Sequence, residues 1–167
     1  ILNFIQVEIF DKLENAHFYK MTNNWNHVIN SGISCAALAT FENWPDKAKF
    51  LIEKSVASNP LGMKEVYAPD GASPEGPGYW SYATSFEGIF LMALQDCLGT
   101  DFGLSESEGF DKANIYRAYT INGFGQYYNY SDCGTRASAS PGAWYCAWRF
   151  SDPSMLYHEI NMLHQGK

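Results

Sequence analysis

Apolar residues recur at three- and four-residue spacing along most of this chain, and no long run of strict alternation competes with them. That period is the one an amphipathic helix needs to put a single face inward, so it predicts an all-α fold. The first helix is expected from Ile1 to about Lys20, with Ile5, Ile9, Phe10 and Leu13 on one side. A second is expected from about His27 to Phe41, its Gly32, Ser34 and Ala36 suggesting close packing. Pro45 suits the first turn of a third, expected to run to about Ser58 and to end at Asn59-Pro60-Leu61-Gly62. Met63 to Gly78 reads as a long loop. A fourth helix follows from about Tyr79 to Leu98, a fifth from Phe110 to Ile121, and a short sixth from about Ala143 to Phe150. Asp152 and Pro153 then open a last one, as cap and first-turn residue.

The 167 residues suffice for one sizeable core or two small ones. Residues 1–167 are read as a single helical domain. A 46% hydrophobic content excludes a disordered chain. The net charge of −7 argues against a nucleic-acid partner, because phosphates require a basic face. No apolar run is long enough to span a membrane, and no signal peptide opens the chain. Ile1 and Gly166-Lys167 read as cuts in a longer protein. The four cysteines match no zinc or redox spacing. Cys35 and Cys97 read as buried small hydrophobes, while Cys133 and Cys146 lie near a loop and could pair. The His and carboxylate positions show no metal-ligand spacing. Neither metal nor cofactor is expected.

Up-and-down helices place every second connector at the same end. The segments Asn23–Asn26, Tyr67–Trp80 and Phe124–Asp132 should therefore converge. They are also the segments densest in polar and aromatic residues, and long Gly-rich connectors of this kind are usually functional.

These segments resemble the heparinase II/III-like polysaccharide lyases. The resemblance rests on Asn23-Asn24-Trp25-Asn26 and on the run from Tyr67-Ala68-Pro69-Asp70-Gly71 through Pro74-Glu75-Gly76-Pro77-Gly78-Tyr79-Trp80. Gly103-Leu104, Gly109-Phe110 and Asn129-Tyr130-Ser131-Asp132 complete it. It spans about Thr22 to Asp132. It implies part of an (α/α) toroid of antiparallel helix pairs, with long polar loops at one end. A C-terminal β-rich region of the same protein, absent from this chain, would complete the cleft. The implied partner is an acidic polysaccharide or oligosaccharide, and the implied setting is periplasmic or secreted.

β-Elimination of a uronate needs neutralisation of the carboxylate, a base, and an acid for the leaving oxygen. Resemblance puts the catalytic tyrosine in the Phe124–Asp132 loop and leaves Tyr128 and Tyr130 both open. It puts Glu75 near the substrate carboxylate, where a protonated form would donate; the rival role is tying down the loop. Asn23, Asn24 and His27 could donate to a sugar or carboxylate, against helix capping for the asparagines and a core role for the histidine. Trp25, Tyr79 and Trp80 could stack on sugar rings or pack in the core. Arg136 could clamp a carboxylate bidentately or sit solvated. Asp70 reads as a turn residue. Two further readings stay open: a glycoside hydrolase with two carboxylates among Asp70, Glu75 and Asp132, and a non-catalytic glycan-binding piece.

Overall fold

The computed structural model describes Phe4 and Ile9 to Gly166. Among the described residues six α-helices form: α1 Asn24–Ala39, α2 Pro45–Tyr67, α3 Gly76–Leu98, α4 Ala113–Thr120, α5 Pro141–Arg149 and α6 Tyr157–His164. Short 3-10 turns at Phe10–Lys12, His17–Lys20, Leu104–Glu106, Phe110–Lys112 and Pro153–Leu156 fill the connections. Among the described residues no strand forms; two isolated bridges, Ile121 with Tyr127 and Gln126 with Arg136, tie the long loop before α5. The protein is all-α.

Local chemistry sets several of these ends. The Asn23 side chain accepts the Trp25 backbone N–H at 3.3 Å and caps α1. Pro45 stands in the first turn of α2, and Asp152 caps the Pro153–Leu156 turn by accepting the Ser154 N–H. Other boundaries differ from the sequence reading. α2 does not stop at Ser58 but continues through Pro60 to Tyr67. α3 begins at Gly76, not Tyr79. The expected first helix contains two separate 3-10 turns in its described part, and Ile5 lies outside the described residues.

The helices run alternately. Asn30 bonds Ser58 and Asn26 packs on Gly62, so α1 and α2 are antiparallel. Asn24 meets Glu75 and His27 meets Glu87, so α1 and α3 run the same way. Gly142 abuts Thr84 and Gly88 abuts Tyr145, which makes α5 parallel to α3 as well. Hence α1, α3 and α5 form a row of parallel helices, with α2 packed on α1.

The main core gathers Phe10, Ala37, Leu51, Met63, Tyr67, Trp80, Phe90, Leu94, Phe110 and Tyr145. A smaller one, around Ile121, Tyr127, Ala137 and Met162, anchors the loop before α5. Gly32 faces open space, so it does not mediate the close packing expected of it. All four cysteines are free: Cys133 and Cys146 are buried but unpaired, Cys35 is half-buried, and Cys97 is exposed instead of buried. No helix among the described residues is long and apolar enough to cross a membrane.

Candidate functional site

The parallel row brings the starts of α1 and α3 together. The Asn24 amide donates to Glu75 Oε2 at 2.9 Å. One residue on, Gly76 adopts φ +88° at the start of α3. A Cβ there would lie 2.6 Å from the Tyr130 carbonyl oxygen, so only glycine lets the 124–132 loop close against this turn. Tyr130 seals the contact from the other side, its hydroxyl donating to the Ser73 carbonyl. Asn24 at the start of α1, Glu75 just before α3 and Tyr130 in the long loop thus lie at one end of the helical row: Asn24 bonds Glu75, and Tyr130 packs on Ser73 and Gly76.

Tyr130 lines a surface cavity of about 520 Å³, together with Lys64, Glu65, Ser73, Pro74 and Glu108. Its proton already serves Ser73, so at the 2.8 Å contact between the Tyr130 and Tyr116 hydroxyls Tyr116 is the donor. Burial, reinforced by the hydrogen bond to Tyr130, pushes the Tyr116 phenol far above its ordinary range. Tyr116 therefore keeps its proton and directs it at the Tyr130 oxygen. A hydrogen bond already aimed at the Tyr130 oxygen would stabilise its phenolate, which suits proton donation to a leaving oxygen. To act, Tyr130 must exchange the Ser73 carbonyl for that oxygen, with Tyr116 behind it to stabilise the resulting charge.

A second, smaller cavity of about 200 Å³ lies beyond the same loop, lined by Tyr79, Tyr82, Tyr127, Asp132, Cys133 and Arg136. Cys133 forms part of its wall, where its sulfur accepts the Gly78 N–H at 3.2 Å. Tyr130 lines the first cavity and Asp132 the second; between them in the chain Ser131 takes a left-handed backbone (φ +52°).

The remaining candidates divide by exposure. Trp25, 51% exposed, stands beside Asn24 and offers a ring face to solvent. Tyr128 is 77% exposed and lines neither cavity, so of the two tyrosines only Tyr130 belongs to the joined cluster. Asn23 is spent on its cap. Asp70 holds an exposed turn by accepting the Ala72 N–H, the role its Pro-Asp-Gly setting suggests. Two expectations are corrected. Trp80 is fully buried, with Tyr116 and the Arg117 guanidinium against its ring, and has no face for a sugar. His27 is equally buried: its Nδ1 lies 2.5 Å from Glu87 Oε2, which also accepts the Asn59 amide at 2.8 Å. His27 belongs to the interior that joins α1, α2 and α3.

Sequence reasoning missed Tyr116, Glu87, Asn59 and the Ser73 carbonyl. Tyr116 and Glu87 sit within apolar helical patterns that carry no hint of polar partners. Ser73 contributes only a backbone atom, which no side-chain pattern can advertise. No group of three or more His, Cys, Asp or Glu that could hold a metal ion occurs among the described residues. No protein-family model matches the chain, and no curated protein matches it.

Proposed function

We propose that this chain is the helical, toroid-forming portion of a polysaccharide lyase that cleaves a uronate-containing glycan by β-elimination. The carrying observation is that the Asn24–Glu75 bond and the Tyr130 contacts with Ser73 and Gly76 fall together at the start of α3, at one end of the parallel row α1, α3 and α5. A row of parallel helices, one of them with an antiparallel partner packed on it, is also compatible with a segment of an (α/α) toroid. In this reading Tyr130 protonates the leaving glycosidic oxygen, and Tyr116 supports it. Asn24, 3% exposed and bonded to Glu75, holds that carboxyl at the start of α3, and Trp25 offers a stacking platform. Lys64, at the rim of the cavity, offsets part of the negative charge there. The setting is proposed to be periplasmic or secreted.

One observation favours a second reading. Glu65 and Glu108 line the Tyr130 cavity, and two carboxylates are what glycoside hydrolysis uses. Products separate the two. The full-length protein carrying this chain, incubated with uronate glycans, should yield unsaturated products that absorb in the ultraviolet, and Tyr130→Phe should slow their formation by about 10²- to 10⁴-fold. New reducing ends without ultraviolet absorbance would replace elimination with hydrolysis. Full activity in Tyr130→Phe would remove Tyr130 from the reaction.

A further inference from the structure

Two of the four thiols fall on the facing sides of neighbouring helices. On α1, Asn24, His27, Ser31 and Cys35 recur at three- and four-residue spacing and so share one face. Asn24 bonds Glu75 and His27 bonds Glu87, so that face looks at α3. On α3, Glu87, Phe90, Leu94 and Cys97 form the matching stripe, while Thr84 and Gly88 turn to α5. The level along the axes matches too. Glu87 follows His27 by 60 residues, and Cys97 follows Cys35 by 62. In parallel helices that difference is a shift of about 3 Å. Packed helices lie about 8–10 Å apart, which brings facing Cα atoms near the roughly 4.4–6.8 Å that a disulfide spans. Access sets this pair apart: Cys97 is exposed and Cys35 half-buried, whereas Cys133 and Cys146 are buried.

We propose that Cys35 and Cys97 are a dithiol–disulfide pair that staples α1 to α3 under oxidising conditions. The oxidant is a low-molecular-weight disulfide, and the exchange runs in two steps. The exposed Cys97, as thiolate, attacks one sulfur of that disulfide, forming a mixed disulfide and releasing one small thiol. Cys35 then loses its proton and its sulfur attacks Cys97 Sγ, forming the protein disulfide and releasing the second small thiol. The two protein thiols give up two electrons and two protons, and the small disulfide takes them up. The order follows from the surroundings. Burial pushes the Cys35 thiol up, its hydrogen bond with the Ser31 side chain works against that rise, and the neighbouring Cys97 adds to it. Cys35 therefore suits the second, intramolecular step, in which proximity replaces exposure. The link constrains the unfolded chain over a long loop. It also fixes α1 against α3 at the end of the row opposite Asn24 and Glu75. None of this depends on the reaction proposed above.

The test treats the folded full-length protein carrying this chain with oxidised glutathione, then alkylates it and maps its peptides without reduction by mass spectrometry. Wild type should yield a linked Cys35–Cys97 peptide pair, with Cys133 and Cys146 alkylated only after unfolding. Its thermal midpoint should rise by about 5–15 °C over the reduced form, and the rise should be absent from Cys97→Ser. Cys35→Ser should stop at the first step and keep one glutathione on Cys97. In wild type the same adduct should decay faster as the pH rises, because Cys35 must ionise to displace it. The wild-type arm needs no substitution, so it decides even where a variant folds poorly. A glutathione adduct on Cys97 that persists in wild type overturns the pairing, as does a link through Cys133 or Cys146, or no reaction at either Cys35 or Cys97. A Cys35–Cys97 link that lowers the midpoint or leaves it unchanged overturns the staple.

Discussion

Tyr19 illustrates what one buried hydroxyl does to a fold like this. Its ring packs tightly on Phe18, at 4.1 Å between centroids, and its hydroxyl is buried without a hydrogen-bond partner. Burial pushes the phenol from 10.0 up to about 12. A folded-state value above the unfolded one means a contribution to stability that is complete below pH 10 and is lost as the pH rises through about 12. Tyr67 and Cys146, both raised by burial and then by the Glu87 charge, act in the same direction. Chemical unfolding followed against pH should therefore show stability falling on the alkaline side. Tyr19→Phe should flatten the part of that fall between pH 10 and about 12 while costing little at neutral pH, since it removes an unpaired group. An unchanged alkaline limb would show that Tyr19 titrates alike in both states. Asp101 has the opposite sign. Burial works against its ionisation, but the Ser105 hydroxyl, the Gly103 and Ser105 N–H groups and Arg149 outweigh it and lower its value. Its contribution is present above about 3.8 and lost as the pH falls through the lower folded value. Asp101→Asn should shallow the acid limb of the same curve.

At the scale of elements, α2 shows packing overruling a local signal. Pro60 removes a backbone donor and costs about 3 kcal/mol inside a helix. Beyond it, Met63, Val66 and Tyr67 are all buried, each worth roughly 1.5–3 kcal/mol. Ending the helix at Pro60 would forfeit more than the proline costs, so the helix goes on. Glycines decide the other helix contacts. A Cβ on Gly142 would stand 2.6 Å from the Thr84 carbonyl carbon and 2.7 Å from the Ser85 nitrogen, both backbone atoms that cannot swing aside. Gly142→Ala should destabilise the protein by about 1–3 kcal/mol, read as a lower denaturation midpoint, by forcing α5 off α3. Gly32, inside α1 with nothing near its missing Cβ, should behave oppositely, with Gly32→Ala adding about 1 kcal/mol. If both substitutions moved the midpoint the same way, the α3–α5 contact would be looser than described.

The whole molecule depends on Arg117. It is buried, donates to Glu159 Oε1 at 2.6 Å, to the Tyr127 hydroxyl at 2.6 Å and to the Ser138 carbonyl at 2.8 Å. Glu159 in turn accepts the Ser140 N–H at 2.6 Å. One guanidinium thus ties α4, α6 and both ends of the loop that carries Tyr130 and Arg136. Arg117→Ala leaves Glu159 buried without its ion partner and should cost about 3–5 kcal/mol, with proteolytic nicking appearing first between residues 121 and 140. Arg117→Lys should not restore the loop, because a single ammonium cannot replace three divergent donors. Protease resistance equal to wild type in Arg117→Ala would show that the smaller core alone holds the loop.

The sequence by itself determined that this chain is helical, where several helices begin, and which three connectors hold the polar and aromatic residues. Those properties are local: a period of 3.6, an asparagine cap and a proline in a first turn act within a few residues of themselves. Only the tertiary structure decided that α2 survives Pro60, that His27 and Trp80 face inward, and that Tyr130, not Tyr128, packs against the turn before α3. Those outcomes depend on which face of each helix finds a partner. A side chain's pattern in the chain says that it will be buried or capped, but its neighbours across the fold decide against what. Tyr127, Tyr128 and Tyr130 make the point within one loop. The buried Arg117 claims the first, solvent takes the second, and the Ser73 carbonyl, brought near by a glycine at position 76, takes the third.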